Sequence, residues 1–162
     1  ITMPMTKKRT EKKYMNQRKK NSSSKNKTAK VGGKKHIAIR KPSHITKKLL
    51  ELLNMVKLYH WKTYSYAEHE ATDALYAKLS KHVDEFVEVL LGKDDSAIQK
   101  MEKNLKMIDA KNTSDLKKRV YEYRDYFSSM NKIFDEKDSD LLNIRDEILA
   151  DLNKFLYLSR FK

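Results

Sequence analysis

The chain has 162 residues, enough for one domain, and 36 Lys and Arg against 22 Asp and Glu give it a formal net charge of +14. It contains no cysteine, which excludes disulfides, thiolate metal sites and cysteine nucleophiles. No stretch approaches the roughly 20 apolar residues of a membrane span, and Ile1-Thr2-Met3-Pro4-Met5 lacks the apolar run of a secretory signal.

The charge is not spread evenly. Residues 1–44 hold fifteen Lys or Arg and a single acid, Glu11, while the remaining 118 residues hold 21 of each sign. The whole excess therefore sits in an N-terminal arm, read here as residues 1–43, ahead of a domain over 44–162. The arm lacks the apolar residues of a core, and ordering it without a partner would cost roughly 1–2 kcal/mol per residue. Lys7 to Lys20 is a basic run broken by Tyr14 and Met15. A polar link follows to Lys30, Gly32-Gly33 reads as a joint, and His36 to Arg40 alternates Ile37 and Ile39 with other residues, as a short extended piece would. Pro42-Ser43 marks the boundary, with Ser43 as the expected N-cap.

Four helical segments follow. The first spans about His44 to Lys62 and turns Ile45, Leu49, Leu52, Leu53, Val56 and Tyr59 or His60 inward. After a break at Thr63 to Ser65, the second spans about Tyr66 to Leu91. Its seam of Leu75, Leu79, Val83, Phe86 and Leu90 follows steps of four and three, and Gly92 is its expected terminator. Lys93 to Asp109 is a connector with a short helix expected over Ala97 to Met107. Asn112 to Ser114 can cap the third helix, whose inward residues run from Leu116 through Val120, Tyr123, Phe127 and Met130 to Phe134. Asp135 to Asp138 forms a turn, and the fourth helix carries Leu141, Ile144, Ile148, Leu152 and Phe155, widened by Leu142, Leu149 and Leu156. Nothing reads as a sheet. The expectation is a four-helix bundle with a long connection between its second and third helices, for which the spacing alone leaves up-down-up-down and single-crossover topologies both open.

The second helix bears another stripe. His69, Asp73, Asp84 and Glu88 fall within a roughly 100° arc apart from the apolar seam. Imidazole and carboxylate groups on one face suit iron, manganese or zinc, and His60 approaches that face from the end of the first helix. A solvated face neutralised by Lys78 or Lys81 explains the same pattern. No Glu-x-x-His occurs, so a di-iron centre in the bundle interior is not expected. Trp61 is expected to pack at the turn. Tyr59, Tyr64, Tyr66, Tyr76, Tyr121, Tyr123 and Tyr126 suit either core or interface.

The stretch Lys57 to Gly92 resembles the Dps ferritin-like family, the DNA-protecting ferroxidases of bacteria. His60-Trp61, then His69, Asp73, Tyr76, Leu79, Asp84 and Glu88, closed by Leu91-Gly92, follow that family's order. The interval between the histidines is shorter here, and the family's Gly after His-Trp is missing. The resemblance implies a ferritin-like fold and an iron site shared between two subunits, with His60 and His69 from one facing Asp84 and Glu88 of the other. Through Tyr59-His60-Trp61-Lys62-Thr63 and Tyr66-Ala67-Glu68-His69, the chain also resembles uncharacterised ferritin-like proteins of large DNA viruses. That likeness implies a virion component assembled in the host cytoplasm.

The fold expected is therefore all-α, a ferritin-like four-helix bundle with an extended basic N-terminal arm. Three roles suit the arm. Its cations can meet nucleic-acid phosphates without base choice, it can thread between protein surfaces and become ordered there, or it can be a solubilising or targeting tail. A membrane-surface role suits it less, because it lacks an aromatic and leucine face. The reading adopted is assembly: a structural protein whose Lys7, Lys8, Arg9, Lys12, Lys13, Arg18, Lys19, Lys20, Lys34, Lys35, Arg40 and Lys41 contact neighbouring proteins or nucleic acid. Tyr14, Met15, Ile37 and Ile39 would be apolar anchors. No catalytic residue and no cofactor are expected under this reading. Iron at His60, His69, Asp73, Asp84 and Glu88 belongs to the alternative, a Dps-like nucleic-acid-binding ferroxidase.

Overall fold

The computed structural model describes residues 41–93 and 104–161. Helix α1 spans Pro42–Lys62, α2 Tyr66–Lys93, α3 Thr113–Ser129 and α4 Ser139–Leu158, with 3-10 turns at Met130–Lys132 and Glu136–Asp138. Helix α1 starts earlier than a Ser43 cap requires. Pro42 occupies its first position, where the fixed φ suits a helix and the missing N–H costs nothing, and the Lys41 carbonyl accepts the His44 and Ile45 amides. Gly92 lies within the last turn of α2 rather than beyond it. Asn112 does cap α3, its side-chain oxygen accepting the Asp115 amide at 3.0 Å. Helix α3 ends at Ser129, short of the expected Phe134, as the chain tightens into the 3-10 turn. Residues 104–107 are not helical, so the expected connector helix does not reach its predicted end, and its earlier part lies outside the described residues.

Ion pairs and hydrogen bonds fix the topology. Lys93, at the end of α2, reaches Asp140 in the first turn of α4 at 2.8 Å. Farther along, Lys78 and His82 of α2 meet Asp151 of α4 at 3.3 and 3.0 Å, so these helices are antiparallel. Lys117 near the start of α3 donates to the Ser159 carbonyl just past α4 at 2.7 Å, and Tyr59 near the end of α1 meets Thr113 at the start of α3 at 3.2 Å. Helices α2 and α3 thus run in the same direction, and the segment joining them connects opposite ends of the bundle. Its described part runs beside α1: the Lys106 amide donates to Glu51 at 3.0 Å, and Lys62 pairs with Asp109 at 2.8 Å. The result is a four-helix bundle with one long crossover.

The apolar seams meet in one core. Leu49, Leu52, Leu79, Phe86, Phe127, Ile148 and Leu152 are sealed from solvent, each such side chain contributing about 1.5–3 kcal/mol by burial. Phe86 of α2 packs edge-on against Phe134 at 6.1 Å between ring centroids. Arg145 of α4 is also buried and donates to the Phe127 carbonyl at 3.0 Å, satisfying an acceptor near the end of α3. No helix among the described residues is long and apolar enough to cross a membrane.

Candidate functional site

At the α1–α2 turn the bundle seam becomes polar. Continuing the seam from Leu75 back toward the start of α2, the same steps reach Thr72, which is buried, and Glu68. The Glu68 carboxylate accepts hydrogen bonds from Thr63 at 2.6 Å, Tyr59 at 2.9 Å and Thr113. Burial pushes its pKa up, but the hydroxyls of Thr113, Thr63 and Tyr59, with the charge of Lys117, hold it below the usual value. Glu68 thereby ties together the end of α1, the turn, α2 and the start of α3.

Beside this hub, the imidazoles of His60 and His69 stack with centroids 3.9 Å apart. Their Nδ1 atoms reach each other's backbone carbonyl, both at 3.1 Å. A carbonyl can only accept, so each ring donates from Nδ1, and Nε2 is the ring nitrogen not used in this pair of bonds. His60 Nε2 lies 3.7 Å from Asp73, which is also approached by Lys57 at 3.6 Å. Lys57 in turn sits over the Tyr76 ring at 4.8 Å.

The structure thus brings His60 against His69 on one side and toward Asp73 on the other. Asp84 and Glu88 lie farther along α2, exposed and with no ion-pair partner among the described residues. Eleven residues separate Asp73 from Asp84, about 16 Å along a helix. The donor types fit a borderline metal. Within one chain, however, no three His, Asp or Glu side chains among the described residues are grouped to share an ion. Lys78, expected to neutralise the stripe, instead pairs with Asp151.

Trp61 does not pack at the turn: it is 70% exposed, because it lies at the end of α1 where the chain leaves the bundle. Of the tyrosines, Tyr59 and Tyr123 are buried, Tyr76 and Tyr126 half-buried, and Tyr64, Tyr66 and Tyr121 exposed. Lys41 is exposed at the head of α1. The other predicted arm contacts, Lys7 to Arg40, and the anchors Tyr14, Met15, Ile37 and Ile39, lie outside the described residues.

Sequence reasoning missed several buried polar groups. Glu51 of α1 is 1% exposed, and Asp138, Arg145 and Asp151 are buried as well. For Glu68 and Thr72 the signal was present, since both continue the seam's spacing. For Glu51 the i,i+3 spacing from Lys48 reads as a surface ion pair, and its burial comes from the crossover segment, whose Lys106 amide it also accepts.

A family model described as "Family of unknown function (DUF5856)" matches residues 60–158. No curated protein and no solved structure matches the chain.

Proposed function

We propose a role for this chain, which belongs to the DUF5856 family of unknown function, from its own residues: it is a structural protein of a large assembly. Its ferritin-like bundle packs against neighbours, and its basic N-terminal arm ties those subunits together. The observation carrying this reading is the partition of charge. Fifteen cations and one acid in residues 1–44 have no counter-charge of their own, whereas the domain is balanced. The domain also uses many of its charges internally, as in Lys48–Glu51, Lys62–Asp109, Lys78–Asp151 and Lys93–Asp140. Exposed Asp84, Glu85 and Glu88 lack a described cationic partner and offer the kind of surface a basic arm meets. The single long crossover supports a ferritin-like body. The likeness to proteins of large DNA viruses points to a minor capsid or other virion component.

The test compares the sedimentation mass of the full chain with that of a variant in which Lys7, Lys8, Arg9, Lys12, Lys13, Arg18, Lys19 and Lys20 are all changed to Gln. The full chain should form multimers that the variant does not. Equal masses would remove the arm from assembly. If multimers instead require added DNA, nucleic-acid binding is the arm's role. With six to ten phosphates engaged, affinity should then fall about 10³–10⁵-fold between 50 and 200 mM salt.

The second reading is a Dps-like ferroxidase with iron as its substrate. It is favoured by the stacked His60 and His69 rings, with His60 Nε2 toward Asp73, and by Asp84 and Glu88 on the same helix, which have no ion-pair partner among the described residues. The separation along α2 requires that a second copy complete the site. Under this reading Asp84→Ala or Glu88→Ala abolishes ferrous iron oxidation; rates unchanged by both substitutions would reject it.

A further inference from the structure

The contacts between helices set α2 and α4 on one side of the bundle and α1 and α3 on the other. Helix α2 packs on α1 and α4, while α3 meets α4 through Lys117 and Arg145 and meets α1 through Tyr59. The described part of the crossover belongs to the α1–α3 side, since Lys106 and Asp109 bond to Glu51 and Lys62 of α1. Charge divides along the same line. Helices α2 and α4 carry ten acids against five Lys or Arg, whereas α1, α3 and residues 104–112 carry ten Lys or Arg against five acids.

Internal pairing does not erase the difference. On the α2–α4 side, Asp84, Glu85, Glu88 and Glu147 are exposed and form no ion pair among the described residues. Glu85 lies one turn beyond His82 toward Lys93, and Glu147 lies one turn beyond Asp151 toward Asp140. Both carboxylates therefore flank the α2–α4 seam that those ion pairs define. On the α1–α3 side, Lys106, Lys111 and Lys118 are exposed with no carboxylate partner among the described residues, and Arg124 rests on the Tyr121 ring at 5.1 Å instead of on an acid. The charges left to oppose each excess are few: Lys81 and Lys154 on the acidic side, and Asp125 on the basic side.

We propose that copies of this chain stack heterologously, the acidic α2–α4 side of one against the basic α1–α3 side of the next. The inference rests on the assembly reading and names the surfaces that meet within it. The charges select a second copy because it answers both sides at once, whereas a basic arm answers only the acidic side and a polyanion only the basic one. The two sides point in opposite directions, so a contact does not use itself up. Each added copy offers a fresh face, and the stack grows into a ring or a filament. Exposed ion pairs are individually weak, so the faces choose the orientation and the arm holds the contact.

The test exchanges charge between the two sides in the full chain. One variant carries Asp84→Lys, Glu85→Lys and Glu88→Lys, the other Lys106→Glu, Lys111→Glu and Lys118→Glu; all six positions are exposed. Sedimentation of either variant alone should show loss of the parent's multimers. An equimolar mixture should restore them, since the reversed side of one variant then matches the reversed side of the other, and recovery itself shows that both are folded. Multimers kept by the Lys-to-Glu variant overturn the proposal and leave the arm's role intact, because an arm needs only the acidic side. Loss in both variants without recovery on mixing overturns it too. Multimers that form only with added DNA and vanish in the Lys-to-Glu variant assign the basic side to nucleic acid instead. A parent that stays monomeric rejects both readings. If the eight-position Gln variant of the arm still multimerises while the two face variants fail and rescue each other, the faces act alone and the arm's role falls.

Discussion

The carboxylate of Glu68, in the first turn of α2, accepts the hydroxyl of Thr113, the first residue of α3, across 45 positions of sequence. The same carboxylate holds Tyr59 and Thr63. Its pKa is pushed up by burial but brought below the ordinary value of 4.5 by those hydroxyls and by Lys117. A carboxylate depressed by folding stabilises the native state above its unfolded pKa, and that contribution is lost as pH falls through the lower folded pKa. Glu68→Gln should therefore cost about 1–3 kcal/mol at neutral pH in urea unfolding. The difference from wild type should shrink below about pH 4.5; a gap unchanged by acid would contradict the account.

Tyr123 and Tyr126 bury hydroxyls that have no hydrogen-bond partner among the described residues. Burial pushes both phenols well up, reinforced by the charge of Glu51. Removing an unsatisfied buried hydroxyl without changing ring shape should be neutral or favourable. Tyr126→Phe is expected to hold stability or raise it by up to about 1 kcal/mol in the same unfolding assay. A clear loss would reveal a partner for that hydroxyl.

Phe86 is fully buried and edge-on to Phe134, at the end of the bundle where α2 meets the turn before α4. Phe86→Ala should cost about 3–5 kcal/mol, measured by denaturant midpoint with an unchanged slope. A loss below about 1 kcal/mol would mean that the helices close over the gap.

Much of this architecture is written in residue spacing. Leu75, Leu79, Val83, Phe86 and Leu90 mark the buried side of α2, and all five are in the core. Spacing ranks positions by apolarity, so it stops where the seam changes chemistry. Thr72 and Glu68 keep the period but read as surface, because a carboxylate looks solvated until its three hydroxyl donors are known. Trp61 fails in the opposite direction: its apolarity suggests burial, yet its place at a helix end turns it outward. The site was legible only in part. Four positions separate Asp73 from His69, one helical turn, and the short turn brings His60 within reach. The distance from Asp73 to Asp84 and Glu88 leaves two groups that only another chain could unite.

The most direct measurement of the arm's role mixes equal amounts of unlabelled and ¹⁵N-labelled full chain, cross-links lysines and identifies the linked peptides by mass. The account predicts links between Lys7 to Lys35 of one isotope and lysines of residues 41–161 of the other. Arm links confined to one isotope, or none between arm and domain, would contradict it.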